Sequence, residues 1–325
     1  MKYVILSYWN KQCISNYMLY DLSHAENVLD LYIYKSKMSI KNNYVRGMYN
    51  FIFDQRWLSK EKRTKKMLKK ITTMASKENI AVLMTNELLC HLELEDLHIL
   101  QRSDAKLVLI LIDPLSAQYK TAEIAKETIN KIKFDLIFSF DPKDAAKYGF
   151  EYCNTLYSKL VDSQAAEICY DLCYIGNIKD RRSMLLNLLD KANASHSNVF
   201  MKLSGCSDDD KSLLPAEIVL EKIIDYTEII NYTKQSNCIF DMTQAGQSGV
   251  TLRYYEAIVY NKKLLTNNRK VANMPFFDER YVRFYEEIED IDWEWVEKVE
   301  DIDYGYNGEF SPIRILERIE RLFHE

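Results

Sequence analysis

The sequence predicts an α/β protein built from two doubly wound domains, each with a parallel sheet, facing across a cleft. Three observations carry this. Short apolar runs alternate with amphipathic helical segments through residues 2–157, and the same alternation begins again at Asp171. The run KLVLILID, Lys106 to Asp113, is apolar throughout, as a strand covered on both faces must be. At 325 residues, the chain is long enough for two domains of ordinary size. The boundary is placed between residues 162 and 163, within the polar stretch from Ser158 to Ala166.

In the first half, Lys2 to Tyr8 reads as a buried strand and Ile14 to Leu22 as the start of a helix. Val28 to Tyr34 has strand character, and Lys41 to Trp57 stays unassigned. Lys60 to Lys77 is predicted as a helix, Ala81 to Thr85 as a strand, and Leu88 to Gln101 as one helix with leucines at helical spacing. After KLVLILID come a helix (Thr121 to Ile132), a strand (Asp135 to Phe140) and a short helix from Pro142. Asp141-Pro142 has the form of an N-cap followed by proline in the first turn. Glu151 to Tyr157 is a last strand or an extended crossing.

The second half repeats the pattern. Asp171 to Ile175 is a strand running into Gly176 and Asn177; a helix follows over Arg181 to Ala194, and then a strand over Asn198 to Leu203. Glu217 to Lys234 is read as one or two helices. Cys238 to Phe240 is a strand, Thr251 to Tyr260 a helix and Lys263 to Thr266 a strand. Tyr281 to Tyr285, Trp293 to Val299 and Pro312 to Phe323 complete the chain as strand, helix and helix.

Composition excludes some classes. The net charge of −5 gives no general attraction to nucleic acid. Seven cysteines, none in a CxxC pair, argue against a disulfide framework or a zinc site. The N-terminus enters a strand at once, and no apolar run approaches the roughly twenty residues that span a bilayer. The expected location is the reducing cytoplasm.

The chemistry concentrates between Cys238 and Asn268. A strand there meets a loop holding Gly246, Gln247, Ser248, Gly249 and Thr251, and then a helix start. A helix N-terminus offers unpaired N–H groups and a positive dipole end, which suits a diphosphate. Arg253 and Glu256, three apart, share one helix face. A guanidinium there can reach phosphate, and a carboxylate can accept hydrogen bonds from a ribose.

The order D–x(n)–G–x–S–G–x–T–x–R–x–x–E–A–I, followed by an apolar strand and Asn267-Asn268, resembles the donor-binding segment of GT-B glycosyltransferases. The resemblance is nearest to bacterial enzymes that assemble capsule, lipopolysaccharide or exopolysaccharide chains. It implies two Rossmann-like domains, an N-terminal acceptor domain (1–162) and a C-terminal nucleotide-sugar domain (163–325), with the last helix able to cross back to the first. It also implies that Glu256 holds the ribose, and that Arg253 and the turn from Gln247 to Gly249 hold the diphosphate. Gly176, Asn177, Lys179 and Arg182 match the strand end and basic residues that meet the donor's phosphates in many such enzymes. Two departures stand out. Tyr8 to Gln12 lacks the glycine-rich turn often found after the first strand, and Gln247-Ser248 replaces a familiar glutamate.

No cofactor or required metal is expected, since fixed cations and N–H groups can stabilise a nucleoside diphosphate leaving group. The acidic triplets at Asp208–Asp210 and Asp301–Asp303 are read as solvated loops. For the acceptor side, Asp113 is the chosen general base, with Asp141, Glu87 and His24 as the other candidates. The run Lys60–Lys70 carries seven basic residues and one acid beside apolar residues at helical spacing. Such a helix can lie on an anionic membrane at the inner face of the cell, where a lipid-linked acceptor would be found, or it can be a surface helix with a solvated face. The partners expected are a nucleotide-sugar donor and a saccharide or lipid-linked acceptor, with no nucleic acid. The rival functions are a nucleotide-sugar 2-epimerase on the same plan and a non-catalytic nucleotide- or ligand-binding protein.

Overall fold

A computed structural model describes residues 1–9, 14–34, 60–116, 120–160, 166–178, 181–222, 224–243 and 249–324. The unassigned stretch from Lys41 to Trp57 lies outside them. The chain forms two compact units, Met1–Ser158 with Phe310–Glu325 and Lys159–Glu309.

The first unit holds strands β1 (Lys2–Trp9), β2 (Val28–Tyr34), β3 (Ile80–Thr85), β4 (Lys106–Leu111), β5 (Leu136–Ser139) and β6 (Glu151–Tyr152). They pair in the order β2-β1-β3-β4-β5-β6, every pair parallel. A parallel sheet needs cover on both faces, and each face has its own core. One packs Val4, Leu6, Val82, Leu107 and Leu109 against Leu68, Ile71 and Ala75 of the helix Lys60–Ala75. The apolar stripe of that basic helix is therefore spent on the core, while Lys62, Lys65, Lys66, Lys69 and Lys70 are exposed. This is the surface-helix alternative. Among the described residues no helix is long and apolar enough to cross a membrane.

The other face packs Tyr3, Ile5, Leu83, Val108 and Phe138 against Ile315, Leu316 and Ile319 of the last helix, Ile313–His324. Tyr3 donates its hydroxyl to the Leu316 carbonyl at 3.0 Å. The unit's edge at Ser158 has a local cause. Ser158 Oγ donates to the Met18 carbonyl (2.8 Å) and accepts the Asp21 N–H (3.0 Å). Ser311 Oγ donates to the Asp21 carboxylate at 2.5 Å.

The second unit holds β7 (Tyr170–Asn177), β8 (Val199–Ser204), β9 (Ser236–Asp241), β10 (Lys263–Thr266) and β11 (Val282–Phe284), in the order β11-β10-β9-β7-β8 and all parallel. Its main core joins Leu172, Tyr174, Leu185, Leu203, Phe240, Leu265, Tyr285 and Trp295. The fold is thus α/β with two Rossmann-like parallel-sheet units, the class the sequence predicts.

Three local expectations change. The single helix over Leu88–Gln101 is two helices, Asn86–Leu89 and Leu94–Gln101, because Glu93 and Asp96 form a capping box that starts the second one. Of Glu217–Lys234 only Tyr226–Lys234 is helical, started by Asp225, which accepts the Thr227 N–H at 3.0 Å. The preceding residues instead pair with β8, Leu203 N donating to the Ile218 carbonyl and Leu220 N to the Leu203 carbonyl, both at 2.8 Å. The acidic triplet Asp208–Asp210 is the first turn of a helix, Asp208–Leu213, in which Ser207 and Asp210 cap each other.

Candidate functional site

In an open parallel sheet, ligands bind at the carboxyl ends of the strands where the strand order reverses, because the loops there part to opposite sides. In the second unit β7 leads to β8 on one side and β9 lies on the other, so the reversal falls between β7 and β9. The sequence motifs of this half meet at that point.

Arg253 makes the junction. It lies in the first turn of the helix Leu252–Val259, whose N-cap is Thr251. Its Nη2 donates to the Ile175 carbonyl in β7 at 2.5 Å, and its Nη1 pairs with Glu256 Oε2. Glu256 is fully buried, and its other oxygen accepts the Tyr226 hydroxyl at 2.7 Å. Burial works against the charge of Arg253, but Glu256 beside it lifts its pKa above the ordinary value. Buried and hydrogen-bonded on both oxygens, Glu256 here anchors Arg253 and exposes no surface of its own.

Under the helix start lies Asp241, the last residue of β9 and 1% exposed. Thr251 Oγ1 donates to its Oδ1 and Thr266 Oγ1 to its Oδ2, both at 2.7 Å. Burial raises its pKa; the two threonine hydroxyls and Arg253 oppose the rise. Thr251 also caps the helix by accepting the Arg253 N–H at 3.2 Å.

Across the reversal, Gly176 and Asn177 end β7. A Cβ on Gly176 would stand 2.8 Å from the Tyr174 hydroxyl, so the glycine makes room for that ring. Asn177 packs under Gly205, which has φ of 72° and whose Cβ would lie 2.5 Å from Asn177 Nδ2. Arg182 Nε pairs at 3.1 Å with Asp210, in the first turn of the helix that follows β8. Its neighbour Arg181 reaches in, donating from Nη1 to the Met242 carbonyl at 2.9 Å. Among the described residues, the Nε of Arg181 is shut off from water and has no hydrogen-bond partner, an uncommon state for a buried donor. Lys179, Gly246, Gln247 and Ser248 lie outside the described residues, while Gly249 accepts a hydrogen bond from Asn268 Nδ2 at 3.1 Å.

In the first unit the reversal falls between β1 and β3, and a small pocket sits there, lined by Leu6, Ser7, Ser15, Asn16, Thr85 and Leu88 among others. Glu87 borders it, accepting the Ser15 hydroxyl at 2.7 Å. Asp113 stands beyond β4, where its Oδ2 accepts Asn86 Nδ2 (3.3 Å) and Thr121 Oγ1 (3.0 Å). Asp141 is a helix N-cap, its Oδ1 accepting Lys143 N at 2.7 Å. His24 is folded back on its own turn, with Nδ1 3.0 Å from the Tyr20 carbonyl. Among the described residues no group of three or more His, Cys, Asp or Glu side chains is placed to hold a metal ion.

The motif reading used Asp241 only as the opening residue of its pattern, with no role of its own, and passed over Arg181 and Tyr226. Asp241 had a signal, since it closes an apolar strand ahead of a glycine-containing loop. Arg181 and Tyr226 had none, because one residue of helix phase separates Arg181 from Arg182, and Tyr226 lies 30 residues from the carboxylate it touches.

No family model matches the sequence, and no curated protein matches it. Solved structures align with it along nearly its whole length. The S. aureus MnaA–UDP co-structure aligns over 100% of this chain and 97% of its own, with a TM-score of 0.52 at 10% identity. A UDP-N-acetylglucosamine 2-epimerase aligns over 100% and 97% at TM-score 0.46 and 10% identity. The glycosyltransferase of kitacinnamycin aligns over 98% of each chain at TM-score 0.41 and 9% identity. At these identities the likeness is one of fold. The chain has a plan of two Rossmann-like parallel-sheet units, a fold it shares with the MnaA structure.

Proposed function

We propose that this chain is a glycosyltransferase that moves a sugar from a nucleotide-sugar donor to a saccharide or lipid-linked saccharide, in assembly of a bacterial surface polysaccharide. The observation that carries the donor half is Arg253, which joins the helix start at Thr251 to the end of β7 at the reversal point of the sheet. The arrangement is suited to a diphosphate. First-turn N–H groups, Arg253 and Arg181 put positive charge at one edge, and the donor's charge grows there as the sugar bond breaks. Arg181 joins the residues that the resemblance named, its Nε having no partner among the described residues, while the Arg182 Nε is paired with Asp210. Gly176, Asn177, Gly249 and Thr251 shape the edge. Lys179, Gly246, Gln247 and Ser248 keep their proposed donor roles from the sequence alone. Glu256 meets the ribose only if its side chain leaves Arg253 and Tyr226; as it stands, it acts through Arg253. The acceptor and pathway rest on the family resemblance. Any contact of the Lys60–Lys70 face with a membrane would be electrostatic, the apolar stripe being used.

The test is calorimetric binding of UDP, GDP, CMP, ADP and TDP to the wild type, to Arg181→Gln and to Arg253→Lys. One diphosphate should bind, and each variant should weaken it by about tenfold or more. If none binds, or if both variants bind as well as the wild type, the donor assignment is wrong.

The 2-epimerase reading has one observation in its favour. Glu87 and Asp113 share a neighbourhood at the carboxyl edge of the first sheet, where Asn86, next to Glu87 in the chain, donates to Asp113 at 3.3 Å, and the rearrangement needs more than one acid–base group. Incubating the bound nucleotide-sugar without acceptor separates the two. A new epimer selects this reading, and unchanged donor rules it out, leaving addition of an acceptor to tell transfer from simple binding.

A further inference from the structure

We infer that Asn267 and Asn268 form a two-sided clasp that positions the donor-binding helix start, so that nucleotide affinity depends on one asparagine as an acceptor and on the other as a donor. The inference rests on the donor reading above and assigns a function to residues that reading leaves idle. β10 runs parallel to β9 with Thr266 opposite Asp241, so the two asparagines emerge beside the point where the chain leaves β9. Asn267 Oδ1 accepts both the N–H and the hydroxyl of Thr243, each at 2.9 Å. Asn268 Nδ2 donates to the Gly249 carbonyl at 3.1 Å. Thr243 is where the chain departs and Gly249 is two residues before the N-cap Thr251.

The clasp is tied to the buried carboxylate beneath it. Asn268 N donates to Thr266 Oγ1 at 3.1 Å, Thr266 donates to Asp241, and Thr251 donates to the other oxygen of Asp241. A closed circuit therefore runs from the end of β10, through Asp241, to the helix start and back through Gly249. Groups held this way lose little freedom when a ligand arrives, and small misplacements of binding groups are costly. Asn268 also accepts the Lys270 N–H at 3.1 Å, capping the short helix Arg269–Asn273.

Hydrogen-bond direction makes the proposal sharp. A backbone N–H can only donate, so Asn267 must present its oxygen to Thr243. A carbonyl can only accept, so Asn268 must present its NH₂ to Gly249. Aspartate therefore keeps the function at position 267 and loses it at 268, although both substitutions add the same charge and a carboxylate at position 268 would still cap the helix.

The experiment measures dissociation constants for the best-binding nucleoside diphosphate in wild type, Asn267→Ala, Asn267→Asp, Asn268→Ala and Asn268→Asp, with a thermal melt of each. Both alanine variants should weaken binding by about fivefold or more. Asn267→Asp should recover most of that loss and Asn268→Asp none. A fold-support role alone would move the melts and leave the affinities of the folded variants together. Equal affinities in the two aspartate variants overturn the clasp while leaving the donor site intact, as does wild-type affinity in either alanine variant. If Asn268→Asp does not fold, the Asn268→Ala affinity against the Asn267 pair decides in its place. A wild type that binds no nucleotide overturns the donor reading first and this inference with it.

Discussion

The carboxyl edges of the two sheets are built on different terms. At the reversal point of the second sheet, Asp241, Glu256, Arg253, Tyr226, Thr251 and Thr266 form a connected polar network, with Asp241 and Glu256 essentially without solvent contact. At that of the first sheet, the pocket wall is partly apolar and its nearest carboxylate, Glu87, is half-buried with one serine hydroxyl on it. Buried polar networks strengthen one another when complete and are costly when broken. Changes within the second network should therefore cost more than changes at the first edge.

The contrast can be broken most directly at Glu256. Glu256→Ala leaves Arg253 without its partner charge and should destabilise the second unit by about 3–5 kcal/mol, read from urea unfolding. A change below about 1 kcal/mol would mean the pair is a surface-like bridge and the contrast false. Next in size is Asn86, a fully buried amide of the first edge, which links Ile112 N (2.8 Å) to Asp113. Asn86→Ala should cost about 1–3 kcal/mol, and no cost would mean that this amide adds nothing to the first edge.

Asp241 sharpens the comparison through pH. Its folded pKa is raised, so the folded chain holds that proton more tightly than the unfolded chain does. Its contribution is therefore largest in acid and is lost as pH climbs from the ordinary value of 3.8 through the raised one. Stability of wild type relative to Asp241→Asn should fall across that window and then level off. Parallel curves for the two proteins would sink the assignment. The smallest effect is expected from Ser15→Ala, which removes the hydroxyl on Glu87. It should cost under about 1 kcal/mol, and a larger loss in chemical unfolding would show that the first edge is as tightly built as the second.

Much of the plan was legible in the sequence because a covered parallel strand has few alternatives. Ile80–Thr85 is buried at every position and Lys106–Leu111 at all but the first, and both announce themselves as unbroken apolar runs. Capping chemistry was legible at Asp141-Pro142 and missed at Glu93, where a short restart is invisible beneath a continuous leucine pattern. The two donor motifs could be seen separately, but their meeting could not. The bond from Arg253 to Ile175 spans 78 residues, and a partner at that distance leaves no local mark. The same holds for Arg182, whose attachment to Asp210 depended on reading Asp208–Asp210 as a helix start rather than a loop.

The last helix has a bearing on how the chain is made. The second unit occupies one continuous stretch, but the first is completed by residues 310–324, which cover Tyr3, Ile5 and Phe138. During synthesis the ribosome has delivered every residue of the second unit before it delivers the helix that closes the first. The face of β1 and β3 carrying Tyr3 and Leu83 is packed by Leu19, Leu22 and Leu156 but lacks its last cover through most of translation, and the unit begun first is the one finished last.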